Sequence, residues 1–217
     1  MNLAAVFLGG NDGHSDKFYR EKANSADLIV AVDSGAEVLR RLNIVPHLLI
    51  GDMDSISPET LSWCSSMGTE IKKFLSEKDE TDTELAIDEL VKRGIKDALL
   101  LTATGERPDH FYAILMLLYA FSKKLELKIL TEELEIGVVH NEEKSFVVST
   151  KEVWSIFPIG SQIPVVTLKG FKYSITEKEM PFDKPYGVSN ISISSSVSIK
   201  TSRGAVIYYR WLKREDC

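Results

Sequence analysis

Two cysteines in 217 residues, Cys64 and Cys217, exclude a disulfide framework and a tetrahedral zinc set, and make a reducing compartment the expectation. Long apolar runs are also missing. None approaches the roughly 20 residues that a membrane helix needs, and Met1-Asn2-Leu3-Ala4-Ala5-Val6 has no basic leader region. A cytoplasmic protein without a membrane partner is expected. Cations are in deficit, 26 Lys and Arg against 32 Asp and Glu for a net charge of −6, which argues against a surface built to neutralise nucleic-acid phosphates. An acidic total still permits a small anionic ligand, since a few local cations or a metal can hold one. Neither GxGxxG nor GxxxxGKS/T occurs, so neither the dinucleotide fingerprint nor a P-loop accounts for a nucleotide.

What is present is an alternation. Short apolar runs at residues 3–8, 28–32, 47–50, 70–74, 98–102 and 127–130 read as strands, and helical patterns fall near 16–24, 36–42, 58–66, 82–93 and 109–124. Strands alternating with helices at this spacing imply βαβ crossovers and parallel pairing. Ser57-Pro58-Glu59 predicts an N-cap followed by proline at the first helical position, and Thr81-Asp82-Thr83-Glu84 predicts a capping box. Beyond about residue 132 helical periods fade. Alternating stretches such as Ile191-Ser192-Ile193-Ser194, divided by Gly160, Gly170, Gly187 and Gly204, predict short antiparallel strands. The expected fold is an α/β domain over residues 1–132 with a mostly parallel, Rossmann-like sheet, then an all-β sandwich or barrel over 133–217.

Three polar clusters each follow a strand: Gly51-Asp52-Met53-Asp54-Ser55, Asp79-Glu80-Thr81-Asp82 and Gly105-Glu106-Arg107-Pro108-Asp109-His110. In an open α/β sheet such positions meet in one crevice. Asp52 and Asp54 alternate on an extended turn and suit a hard cation such as Mg²⁺; taken alone the pair also reads as a solvated Asx turn. Asp79 and Asp82 would bring four carboxylates together, a crowd that needs a divalent cation or a raised pKa. Asp82 could equally be a first-turn acid favoured by the helix dipole. Arg107 could grip a phosphate bidentately, with His110 and the N–H groups of the following helix beside it. Asp33-Ser34-Gly35 would border the same crevice, and Gly9-Gly10 would let the backbone approach a phosphate. Later in the chain, Gly187-Val188-Ser189-Asn190 with Tyr173, Tyr208, Tyr209 and Trp211 could bind a flat organic group, although strand aromatics more often fill a core.

In this order, together with Lys78 before Asp79 and Gly170-Phe171-Lys172-Tyr173, the motifs resemble the thiamine pyrophosphokinase family over nearly the whole chain. The resemblance implies a homodimer with active sites between subunits, and transfer of pyrophosphate from ATP to the hydroxyl of thiamine with Mg²⁺, giving thiamine pyrophosphate and AMP. It implies that Asp52, Asp54, Asp79 and Asp82 are metal-centred catalytic acids. Asp33, Ser34, Gly35, Arg107, Asp109 and His110 would meet ATP, Arg107 also serving catalysis, and Ser189 and Asn190 would meet thiamine. Pro108, Tyr173 and Ser34 depart from the residues usual in the family. The rival readings are a diphosphokinase acting on a pterin alcohol, an aspartyl phosphatase and a binding regulator without turnover.

Overall fold

The computed structural model describes residues 3–10, 13–77, 79–105 and 107–215. Lys78, Glu106 and Cys217 of the motifs above lie outside the described residues. The chain divides into two compact units, Met1–Leu117 with Lys124–Leu127, and Leu118–Lys123 with Lys128–Cys217. In the first half the elements run β1 (Leu3–Phe7), α1 (Asp16–Ser25), β2 (Leu28–Val32), α2 (Gly35–Arg41), β3 (Leu48–Gly51), α3 (Pro58–Ser66), β4 (Glu70–Lys73), α4 (Asp82–Lys92), β5 (Asp97–Leu101) and α5 (Pro108–Phe121). There follow β6 (Glu126–Leu130), β7 (Leu134–His140), β8 (Glu143–Val147), β9 (Glu152–Ile159), β10 (Val165–Lys169), β11 (Ile175–Glu179), β12 (Asn190–Ile191), β13 (Ser196–Arg203) and β14 (Ala205–Glu215).

In the first unit β1 pairs in parallel with β2 on one side and with β5 on the other, and β3 and β4 continue the parallel set beyond β2. The unbroken apolar runs of β1, β2 and β3 follow from burial on both faces. Edge strand β4, Glu-Ile-Lys-Lys, is exposed along most of its length, and its lysines discourage another strand from adding there. The order β5-β1-β2-β3-β4 means that the chain crosses back over β1 between β4 and β5. The carboxyl ends of β1 and β5 therefore flank a topological switch point, where ligands of open α/β sheets bind.

Ser57 Oγ accepts the Thr60 N–H at 3.2 Å ahead of Pro58, the N-cap its sequence predicts, and Thr81 Oγ1 accepts the Glu84 N–H at 3.1 Å, the forward bond of the predicted box. Each such cap contributes about 1 kcal/mol. Among the described residues, no helix is long and apolar enough to cross a membrane.

The second unit is antiparallel. β14 lies between β7 and β9, with the short β12 on the far side of β9, while β13 lies between β8 and β10, with β11 outside β10. Both sets send side chains into one core, Val139, Trp154, Ile156 and Tyr208 from the first and Val166, Leu168, Val197 and Ile199 from the second. β6 pairs with β7 antiparallel, across the short connection at Glu132 and Glu133.

Candidate active site

A cavity of about 800 Å³ opens at the carboxyl ends of β1, β2, β3 and β5. Its floor is backbone. The Gly10 N–H donates to the Thr102 carbonyl at 2.9 Å, and a Cβ on Gly10 would run into the carbonyls of Thr102 and Thr104. Thr102 itself has φ of 51°, an uncommon conformation for a β-branched residue. Its hydroxyl, bonded at 2.6 Å to the Leu8 carbonyl, helps to hold it there.

The acids come from three neighbouring loops. Asp33 follows β2 with φ of 46°, its N–H donating to the Ile50 carbonyl at 3.0 Å and its Oδ1 accepting the Met53 N–H at 3.2 Å. Gly51 is required at the end of β3, because any Cβ there would overlap the Asp33 carboxylate. Asp52 Oδ1 accepts the Asp54 N–H at 3.0 Å, the Asx turn anticipated from the Asp-x-Asp spacing. Asp82 opens α4. One oxygen from each of Asp33, Asp52 and Asp82 lies within 4.8 Å of the other two, and all three side chains are half-buried.

At that separation each ionised pair repels by roughly 3 kcal/mol at an effective dielectric of about 20. At Asp33 that repulsion adds to the larger effect of burial. Burial raises its pKa to about 6; the Met53 N–H pulls it down, and the charges of Asp82, Asp52 and Asp54 push it up again. An all-oxygen donor set with surplus negative charge is the kind that Mg²⁺ or Mn²⁺ takes, with waters completing the shell. The residues present therefore fit a hard divalent cation.

The expected site residues separate into two groups. Asp33, Ser34, Asp52, Asp54, Asp82, Arg107 and His110 all line the cavity. Gly35, Asp79 and Asp109 are not among its lining residues. Gly35 is buried, and a Cβ on it would strike the Phe7 carbonyl; it lets α2 start against β1. Asp79 is exposed on the segment before α4. Asp109 lies outside the lining but grips Arg107, which donates Nε to Oδ1 at 3.0 Å and Nη2 to Oδ2 at 2.7 Å. This hydrogen-bonded fork holds the Asp109 carboxyl far below the usual carboxylate range.

Sequence reasoning assigned Asp33 to the nucleotide and did not place it among the clustered acids. The signal was the adjacency of β2 and β3, a property of strand order. It also missed the apolar wall that Ala113, Ile114 and Leu117 of α5 give the cavity; their three- and four-residue spacing reads equally well as core.

In the second unit Ser189 is exposed with φ of 54°, its N–H donating to Ser155 Oγ at 3.2 Å. Asn190 is only 4% exposed. Its Oδ1 accepts the N–H groups of Tyr173 and Ile191, both at 3.0 Å, and its Nδ2 donates to the Tyr173 carbonyl at 3.0 Å. That amide fixes the Tyr173 turn. Tyr173 stands 60% exposed, whereas Tyr208 is a core residue whose hydroxyl donates to Glu135 at 2.9 Å.

Comparison with known proteins matches residues 19–131 to the thiamin pyrophosphokinase catalytic domain and residues 136–206 to the thiamin pyrophosphokinase vitamin B1 binding domain. The chain is 27% identical to thiamine pyrophosphokinase of Bacillus subtilis over 188 residues, 84% of this chain and 86% of that one. It is likewise 27% identical to thiamine pyrophosphokinase 2 of rice over 172 residues, 74% of this chain and 64% of that longer one. The solved structure of the Bacillus subtilis thiamine pyrophosphokinase superposes with a TM-score of 0.84 at 24% identity, covering 98% of this chain and all (100%) of that one. The Candida albicans thiamin pyrophosphokinase gives 0.84 at 16% identity over 98% and 89%. At these identities the superpositions speak for the fold.

Proposed function

The chain belongs to the thiamin pyrophosphokinase family and carries its enzymatic activity, and from that premise we propose that the cavity of the first unit is where ATP and Mg²⁺ react with thiamine. The observation that carries this reading is the convergence of Asp33, Asp52 and Asp82 with Arg107 and His110 around one cavity. The first unit serves as a Rossmann-like platform without the glycine fingerprint, the nucleotide lying over the Gly9-Gly10 and Thr102–Gly105 backbone. The division of labour follows the two matched domains, with nucleotide and metal in residues 19–131 and thiamine in residues 136–206.

The hydroxyl oxygen of thiamine attacks the β-phosphorus of ATP in line with the bridging oxygen to the α-phosphorus. The new O–P bond forms as the old one breaks, and AMP departs. Asp82 or Asp52 accepts the hydroxyl proton, a role typically worth about 10² to 10⁴ in rate. Arg107 turns its fork from Asp109 to the phosphoryl oxygens, where charge accumulates, and His110 adds a hydrogen bond. Asp33, Asp52 and Asp82 would hold the cation, with Asp54 on the cavity lining and Asp79 before α4 completing the acid set. Mg²⁺ held there would supply charge neutralisation as AMP leaves. Ser189 meets thiamine directly, while Asn190 acts by holding the Tyr173 turn as an aromatic platform. A cytoplasmic homodimer with active sites at the subunit interface completes the proposal.

Incubation with ATP, Mg²⁺ and thiamine, followed by mass detection, tests it. Thiamine pyrophosphate and AMP should appear in equal amounts. Thiamine monophosphate with ADP, or turnover of 6-hydroxymethyl-dihydropterin in preference to thiamine, would overturn it.

A further inference from the structure

Both ends of the loop that carries Asp52 and Asp54 are held by one short stretch of chain. At the near end Asp33 accepts the Met53 N–H. At the far end Glu37, one helical turn along in α2, accepts the Ser57 N–H through Oε1 at 2.8 Å and the Thr60 hydroxyl through Oε2 at 2.6 Å. Thr60 is fully buried, and its Oγ1 also accepts from Arg40 Nη1 at 3.0 Å and from the Ser57 hydroxyl at 2.9 Å. Ser57 in turn caps α3. Glu37 is not among the residues that line the cavity.

We propose that Glu37 is a positioning residue for the cation site: by fixing Ser57 and Thr60 it sets where the loop holds the Asp52 carboxylate relative to Asp33 and Asp82. The inference rests on reading those three acids as the cation site. Residues between β3 and α3 form no regular structure, so their order depends on contacts at the two ends. Ordering one free residue costs about 1–2 kcal/mol. With the clamp in place that cost is met in folding; without it, it falls on cation binding. A carboxylate makes an effective clamp here. Burial acts to raise the Glu37 pKa, but the hydrogen bonds from Thr60 and Ser57 outweigh it and the group stays below its ordinary value. Hydrogen bonds to an ionised acceptor are the stronger kind.

The inference can be tested by titration calorimetry of Mn²⁺ into the full-length protein without nucleotide, beside thermal unfolding and steady-state kinetics, for the wild type, Glu37→Ala, Glu37→Gln and Thr60→Val. Glu37→Ala should weaken Mn²⁺ binding by about tenfold and raise the half-saturating Mg²⁺ concentration by a similar factor, with the thiamine KM within about twofold of wild type. Glu37→Gln keeps an acceptor for the Ser57 N–H and should recover most of the affinity. Should Glu37→Ala fail to fold, Thr60→Val, which removes one hydroxyl at nearly constant volume, carries the test by showing a smaller loss of the same kind. Folded variants with lowered melting temperature and wild-type Mn²⁺ affinity would reduce Glu37 to a tie between α2 and α3 and overturn the inference alone. A wild type that takes up no Mn²⁺ would overturn the cation reading and this inference with it.

Discussion

Asp33, Asp52 and Asp82 are held closer together than three carboxylates would choose, so removing one charge has opposite effects on stability and on activity. Asp52→Asn and Asp82→Asn should each abolish AMP formation. In the absence of divalent cation their unfolding temperatures should equal or exceed that of wild type, because mutual repulsion is relieved. Undiminished turnover in both variants would remove the acids from the chemistry. A second residue, not among those that line the cavity, offers a pH test. His140 stacks on Tyr119 at 5.2 Å, and its Nδ1 lies 2.8 Å from the Ser122 hydroxyl. Burial, and then the charge of Lys123, lowers its pKa from the ordinary 6.5, with Glu142 opposing. The unfolded chain thus takes up this proton at higher pH than the folded chain does. Stability from this group is present above pH 6.5 and is lost as pH falls through the lowered folded value. His140→Gln should flatten the decline of melting temperature between about pH 7 and pH 5 relative to wild type; parallel slopes would show that His140 is not responsible.

At the scale of elements, α4 links a cap to the proposed cation site, since Thr81 closes its first turn and Asp82 is its first residue. Thr81→Ala should lower stability by about 1 kcal/mol in denaturant titration and raise the Mg²⁺ concentration needed for half-maximal turnover, whereas Thr81→Ser should restore both. A stability loss with unchanged Mg²⁺ dependence would separate the cap from the site. This helix was legible from four consecutive residues because capping is local chemistry. Strands β1, β2, β3 and β5 were legible for a related reason: burial on both faces writes a continuous apolar run into the sequence. In the second unit the alternation showed short antiparallel strands, but not where each one lies. β11 is Ile-Thr-Glu-Lys-Glu and β12 only Asn-Ile, and what makes them strands is the partner across the sheet. The same limit applies to the site. Asp33 joins Asp52 because β2 lies beside β3, and the Asn190 amide is spent on Tyr173; neither pairing leaves a local mark.

At the scale of the whole molecule, two compact units on one chain mean that a single unfolding temperature need not describe the protein. Ligands that bind the first unit should act first on its own transition. Mg²⁺ with ATP at about a hundred times the dissociation constant should stabilise that unit by about 2.7 kcal/mol, read as an upward shift in calorimetry that Asp52→Asn removes. Light scattering of the purified protein should report twice the 24.3 kDa chain mass; a mass of one chain at micromolar concentration would discard the proposed homodimer.

The cavity floor, finally, bears on how this site could change under selection. Gly10 meets two carbonyls, and Thr102 is pinned in a conformation that few side chains tolerate. A competitive inhibitor whose contacts fell on that floor would leave resistance few single substitutions to exploit. One that leaned on the wall formed by Ala113, Ile114 and Leu117 would be evaded more readily, at some packing cost at the buried Ile114 and Leu117, since the contacts there are with side chains.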